Sequence, residues 1–392
     1  MTKSTNDLAA DRERHLRDAV SAARHIADTA RLSAEALDVD GAFPAKEIRA
    51  LADQGLLAAP LPWRFGGAGL LCGPQGAAAL AKVLQLLGGG SLALGRLYEG
   101  HVNALALIAI YAREEQLAYY AARAREGNLF SVWNTEREDG VRIIESGDGK
   151  LRLDGAKIYA SGAGFIAYPL ITARTESGDL LMLVADGKLA TSDLSQWRAH
   201  GMRASASGQV NFSGIEVTND SIIGGPDDFH RQPMFSVGAW RFAAVQLGGI
   251  ATLYDLARAQ LVSAGRSDNP HQLARMGTAA MAVESARLWV FRACAVAQNA
   301  NLSPAASVAY VNMARLAVER AGLDVLELTH RSVGLSGFLR PSPIERISRD
   351  LATYLRQPAP DEALCDAARF IMAVDRPIAD VWAETFEEIP VW

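Results

Sequence analysis

The chain has 392 residues, 49% hydrophobic and 21% charged, a balance that predicts packed globular domains rather than a disordered or fibrous protein. Lys and Arg (39) against Asp and Glu (44) leave a formal charge of −5, which argues against nucleic-acid binding as the main function. Three widely spaced cysteines without a CxxC pair fit thiols in a reducing compartment, and no apolar run approaches the roughly 20 residues of a membrane span, so a cytoplasmic protein with no membrane partner is expected.

Helix comes first. Residues 8–37 carry apolar side chains at three-to-four spacing, and Pro44 opens a second helix over 45–57. Pro60-Leu61-Pro62 cannot continue it, and the glycine loop Gly66-Gly67-Ala68-Gly69 follows. Further helices are predicted over 76–87, 91–111 and 114–126. From Asn128 short segments alternate with turn signals, and strands are predicted over 129–133, 141–145, 151–159, 170–174, 180–185 and 209–212, forming a small antiparallel domain. Helix returns near Gln232, with long segments over 235–263, 272–299 and 304–333 and shorter ones over 344–355 and 361–374, the pattern of a bundle. The expected division is an N-terminal helical domain over 1–127, a middle β domain over 128–228 and a helical bundle over 229–392.

Common enzyme signatures fail. Gly67-Ala68-Gly69 has Cys72 where a dinucleotide fingerprint needs its third glycine, and no strand precedes it. Gly334-Leu335-Ser336-Gly337 has the wrong spacing for a nucleophile elbow, and the seven histidines show no metal-ligand spacing.

Other motifs agree with one another. Pro60 to Leu70, Glu114-Glu115-Gln116 with Tyr119-Tyr120, Gly155-Ala156-Lys157-Ile158-Tyr159-Ala160-Ser161-Gly162, and Gly201-Met202-Arg203-Ala204-Ser205 precede the turn Gly334 to Phe338 and the run Pro343-Ile344-Glu345-Arg346-Ile347-Ser348-Arg349-Asp350. In this order the chain resembles the acyl-CoA dehydrogenase superfamily from about Ala45 to Met372, with Trp63-Arg64 in place of the family's acidic pair. The resemblance implies a mainly α protein with a central β domain: N-terminal helices, a middle antiparallel β-barrel and a C-terminal four-helix bundle. It also implies FAD, or FMN, in the cleft between β domain and bundle. The cofactor set it implies is Trp133, Asn134, Thr135, Tyr159, Ser161, Arg266 and Gly334. Tyr159 would pack on the ring, Ser161 would hydrogen-bond near its reactive nitrogen, and Arg266 would reach the flavin pyrophosphate of a neighbouring subunit. A flat, largely apolar ring needs such a wall and a few placed donors. Glu345, Arg346, Arg349 and Asp350 read as a structural ion-pair and capping cluster. A homo-oligomer, commonly a tetramer in the family, is expected.

The resemblance breaks at the catalytic base. Removing a proton alpha to a thioester needs a positioned carboxylate, and the family's two positions for it fall on Pro358 and Trp240. Three readings stay open: a dehydrogenase-like flavin oxidoreductase with an altered site, passing electrons to an electron-transfer flavoprotein; a two-component monooxygenase that takes reduced flavin from a reductase and uses O2; and a binding or scaffold protein that kept the fold. Substrates implied are an acyl-CoA or an aromatic small molecule. For the monooxygenase reading the candidate catalytic residues are Ser161, in a small-Ser-Gly-Ala run, and His101, after Tyr98-Glu99-Gly100.

Overall fold

Helices α1 (Thr5–Ser33), α2 (Ala45–Asp53), α3 (Gly73–Gly90), α4 (Leu92–Tyr111) and α5 (Glu114–Arg125) open the chain in the computed structural model, which describes residues 5–138 and 140–383. The sequence explains their limits. Pro74 sits in the first turn of α3, where a missing N–H costs nothing, and the Ser91 hydroxyl accepts from Leu94 N at 3.3 Å to cap α4. Both helices are apolar nearly all round and buried on most faces, as expected of helices sandwiched between other elements.

The middle of the chain forms strands β1 (Phe130–Trp133), β2 (Arg142–Glu145), β3 (Leu151–Asp154), β4 (Ala156–Ala160), β5 (Tyr168–Arg174), β6 (Leu180–Val184), β7 (Thr191–Asp193), β8 (Gly208–Asn211), β9 (Glu216–Val217) and β10 (Ile222–Ile223). They make a larger curled sheet in the order β10-β6-β5-β2-β3-β9, with β1 beside β5, and a smaller sheet β4-β8-β7. The expectation of a purely antiparallel domain is corrected at β5. It pairs in parallel with β1, Phe130 opposite Tyr168, and with β2 at Arg142 opposite Arg174. The long excursion between β1 and β5 supplies the crossover that a parallel pair needs. The single strand predicted over 151–159 is two strands in different sheets. Gly155 divides them with a φ of +115°, and a Cβ there would lie 2.2 Å from Gly140 O.

Helices α6 (Met234–Val237), α7 (Trp240–Ser263), α8 (Pro270–Val296), α9 (Pro304–Val333), α10 (Pro343–Tyr354) and α11 (Pro360–Ala373) complete the described chain. α9 packs against α7, α8 and α11 in a bundle, while α10 crosses α7. The helix predicted over 235–263 is broken near Gly238 into α6 and α7. α3 lies directly on α7 through glycines: a Cβ on Gly88 would stand 2.2 Å from Val245 O, and one on Gly248 would stand 2.0 Å from Gln85 O. Main chains touch there with no side chain between. Among the described residues no helix is long and apolar enough to cross a membrane.

The predicted ion-pair cluster joins the three parts of the molecule. Arg349 on α10 donates through Nε to Glu345 Oε1 at 2.6 Å and through Nη2 to Asp38 Oδ2, in the loop after α1, at 2.5 Å. Its Nη1 reaches His200 O at 3.2 Å. Asp350 Oδ1 accepts from Met202 N at 2.6 Å, and Arg203 donates to Asp38 O at 2.7 Å and Asp40 Oδ1 at 2.6 Å. Glu345, Arg349 and Asp350 are buried, so their charges are held by partners rather than by water, while Asp40 lies at the exposed edge of the cluster.

Candidate functional site

The end of β4 departs from regular strand geometry. Its pairing with β8 shifts register between Lys157 and Ala160, and Tyr159 takes a φ of +54°, a backbone region that tyrosine seldom adopts. The result turns Tyr159 outward, 64% exposed, with its ring edge-on to Trp197 at 6.2 Å. A large aromatic held outward in a strained conformation suits a stacking ledge. Two residues on, Ser161 is buried. Its hydroxyl accepts from Ser207 Oγ at 3.2 Å, Ser207 meets Ser205 Oγ at 2.8 Å, and Ser205 donates to Met202 O at 2.7 Å. Ser161 thus ends a chain of hydroxyls anchored on Met202 O.

The turn that presents Ser161 is fixed from several sides. Gly162 N donates to Ser205 O at 2.8 Å, Ala163 N donates to Ala206 O at 2.9 Å, and Trp133 Nε1 donates to Ser161 O at 3.0 Å. Trp133 itself lies in the core beside Phe212, behind the turn, so its indole acts as a brace. Below the ledge, buried Lys157 donates to Thr172 Oγ1 at 2.9 Å and Asn134 O at 3.2 Å and pairs with Glu136. Thr172 in turn donates to Asn134 Oδ1 at 2.7 Å, and Ile158 N donates to Thr135 O at 2.9 Å. Asn134 and Thr135 are therefore tied to β4 on their backbone oxygens. The ledge, the buried hydroxyl and the network beneath it fit a flat heteroaromatic group with a polar edge.

His101 is fully buried on α4. Nδ1 accepts from Phe130 N at 3.1 Å, which leaves the proton on Nε2, and Nε2 donates to Leu57 O at 2.7 Å. Both nitrogens are engaged with backbone, and burial pushes the pKa down to about 4. The proton-carrying part expected from sequence differs from this placement, because no nitrogen faces open space. The sign of the pH effect follows. Between the ordinary value of 6.5 and about 4 an unfolded chain binds a proton at His101 and the folded one does not, so stability falls as pH drops through this window. The loss attributable to His101 reaches about 3 kcal/mol by about pH 4. Asp350, raised by burial to about 6, acts in the opposite sense over much of the same range. Comparing urea denaturation of wild type and His101→Gln at about pH 7 and about pH 4.5 isolates the histidine. The variant is expected to start less stable and to lose less on acidification; an equal loss in both proteins would contradict the assignment.

A cavity of about 650 Å³ opens between α4, α6, the start of α7, the α8–α9 connection and the loop before α11. Its walls are largely apolar, including Leu107, Ile110, Phe235 and Phe242, and its size suits a small molecule. Pro358 and Trp240, the two positions where the family resemblance places a carboxylate, both line it. Sequence reasoning passed over its polar floor. Glu99 accepts from Arg96 Nη1 at 2.5 Å through one oxygen and from Asn103 Nδ2 through the other. Glu99 is the sole acid in α4, and with Arg96 three residues before it the pair was legible as a helix-surface contact turned inward. Arg241 Nη1 donates to Asn103 Oδ1 at 2.9 Å, and Arg315 Nη2 donates to Pro358 O at 2.5 Å.

Arg266 and Gly334 meet at the far end of α9. Arg266 Nη1 donates to Ser332 O at 3.3 Å, and the Gln272 amide, oriented with its oxygen toward Arg266, accepts from Nη2 at 2.7 Å and donates to Ser332 Oγ at 3.0 Å. Gly334 ends α9 with a φ of +68°. The structure thus groups Tyr159, Ser161, Trp133, Asn134 and Thr135 around β4 and its neighbours, and holds Arg266 and Gly334 together at the bundle end. Among the described residues no cluster of three or more His, Cys, Asp or Glu could hold a metal ion.

Known proteins share this architecture. Residues 11–128 match the model of the acyl-CoA dehydrogenase N-terminal domain and residues 242–356 that of the acyl-CoA dehydrogenase C-terminal domain, together more than half of the chain. A dibenzothiophene monooxygenase of Rhodococcus erythropolis is 26% identical over 62% of this chain; the match spans 61% of that protein's length. A probable FMNH2-dependent monooxygenase, SfnC, of Pseudomonas putida is 23% identical over 92% of this chain and 96% of its own. The FMN-bound crystal structure of TdsC from Paenibacillus sp. A11-2 superposes with a TM-score of 0.81 at 20% identity, covering 93% of this chain and 99% of that one. With both family domains matched over more than half of the chain, the chain belongs to the acyl-CoA dehydrogenase superfamily of flavoenzymes.

Proposed function

We propose that the protein is a two-component, flavin-dependent monooxygenase. The observation that carries this reading is the cavity lining: Pro358 and Trp240 stand at the two base positions, and the one cavity-lining carboxylate, Glu99, has both oxygens engaged by Arg96 and Asn103. Among the described residues no carboxylate lining this cavity is free to take a proton alpha to a thioester. The relatives named above favour the same branch over a dehydrogenase, which corrects the emphasis of the sequence reading. Reduced flavin, when bound, would supply the two electrons that let O2 deliver one oxygen atom to a substrate.

In this reading Tyr159 supports the ring face and Ser161 presents its hydroxyl to the ring's polar edge. Ser207 and Ser205 orient that hydroxyl, Trp133 fixes the turn behind it, and the Lys157 network sets the height of the ledge. Asn134 and Thr135 bound the ring edge, and Arg266, beside Gly334, offers a guanidinium to a flavin phosphate. His101 braces α4 against β1 and leaves proton handling to other groups. A flavin reductase is the partner this chemistry requires.

The test pairs the protein with an FMN reductase, NADH and small aromatic substrates in charged and uncharged forms. Oxygen-dependent product formation is expected. Bleaching of bound flavin by an acyl-CoA without O2 would instead establish a dehydrogenase. Ser161→Val is expected to weaken flavin binding about five- to ten-fold with the far-UV spectrum unchanged, as loss of one hydrogen bond of about 1 kcal/mol implies.

A further inference from the structure

Three charged side chains line the cavity: Glu99, Arg241 and Arg315. Glu99 is neutralised locally, since Arg96 pairs with it at 2.5 Å. Neither lining arginine has such a partner. Arg241 meets the uncharged Asn103 amide, and Arg315 meets the Pro358 carbonyl. Glu319, one turn along α9 from Arg315, is taken by Arg356 at 3.0 Å. Among the described residues neither Arg241 nor Arg315 forms an ion pair with a carboxylate. Arg241 Nε and the neighbouring Trp240 Nε1 are buried donors with no acceptor. Burial pulls Arg241 down to about 10 and lowers Arg315, outweighing the opposing pull of Glu99 on the first and Glu319 on the second. Much of the rest of the wall is apolar, with uncharged polar groups such as Asn312 and Ser307 among it, and Arg315 lies over the Phe242 ring at 5.4 Å. Two guanidiniums without an ion-pair partner on the wall of one small chamber favour an occupant that carries negative charge.

We propose that this cavity selects an anionic small substrate, an apolar body ending in a carboxylate, sulfinate or sulfonate, whose charged head is held by Arg241 and Arg315. The assignment rests on reading the cavity as the substrate chamber and adds its specificity. Arg315, at the Pro358 rim, receives the head on entry, and Arg241, backed by Asn103, holds it deeper in. An uncharged heterocycle would leave both cations without a counter-charge, so it is disfavoured.

Calorimetric titration of the protein as purified, with and without FMN, tests this. The probes are benzoate and benzenesulfinate against their uncharged counterparts benzamide and methyl phenyl sulfone. Each anion is expected to bind at least about ten-fold more tightly than its counterpart, and the preference is expected to fall to about two-fold in Arg315→Gln and in Arg241→Gln. Arg315→Lys should retain most of it, and FMN affinity should stay unchanged in the Arg315 variants. Equal binding of charged and uncharged probes, no binding of either anion, or a preference that survives in both Gln variants would overturn the proposal. Absent flavin uptake with the anion preference intact would overturn the monooxygenase reading instead and leave the anion site standing.

Discussion

An Arg349→Leu protein is expected to be about 3–5 kcal/mol less stable than wild type, the usual cost of removing one partner from a buried ion pair. The reason is the position of its partners. Glu345 and Asp38 lose their guanidinium together, and His200 O loses a donor. Glu345 is then left in surroundings too dry to hold its charge, and Asp38 keeps only its looser pair with Arg203 at 3.6 Å. Because Asp38 follows α1, His200 precedes the Met202 turn and Arg349 sits on α10, the loss also removes the clamp that holds the β domain against the helices on both sides. Denaturant midpoints measure the first effect. A protease-sensitive segment around residues 198–206 would report the second. Adding Glu345→Gln to Arg349→Leu should recover part of the stability, since one stranded charge is removed. A loss below about 1 kcal/mol would show the cluster to be no more than an exposed ion pair.

Gly248→Ala is expected to be comparably severe, costing about 3 kcal/mol or more. Its new methyl group would start 2.0 Å from Gln85 O, a backbone atom that cannot rotate away, so α3 and α7 must separate along their length. Gly277 is the control. It lies in α8 with open space around its Cβ position, and Gly277→Ala should stabilise by about 0.5–1 kcal/mol through helix propensity. Thermal melts of both variants decide the matter. If Gly248→Ala melts with wild type, the close crossing of the two helices is not as described.

Much of the helical architecture was legible because its signals are local. Pro270, Pro304, Pro343 and Pro360 open helices within a few residues of where periodicity places them, and Ser303 and Asn269 cap two of them. The β domain was harder to read. Thr191–Asp193, Glu216–Val217 and Ile222–Ile223 are too short to show alternation, and parallel pairing at β5 depends on where the chain returns rather than on composition. The site divides the same way. The run Lys157 to Gly162 marked the ledge, but the outward turn of Tyr159 comes from a register shift that no residue pattern announces. Trp133 and His101 looked like groups that meet a ligand. Their burial, and the backbone atoms they bond, depend on tertiary packing alone. Arg315 was invisible as a site residue, because it reaches Pro358, 43 positions away in sequence.

The break at Gly155 makes the two sheets independent in their in-and-out alternation. A residue inserted or lost just after it would move every side chain of β4 to the opposite face while β2 and β3 kept their partners. Evolution can therefore reshape the stacking surface while the strand pairing of the larger sheet is kept, at the cost of the Lys157 bond to Thr172, and a laboratory library confined to 156–160 samples the same freedom.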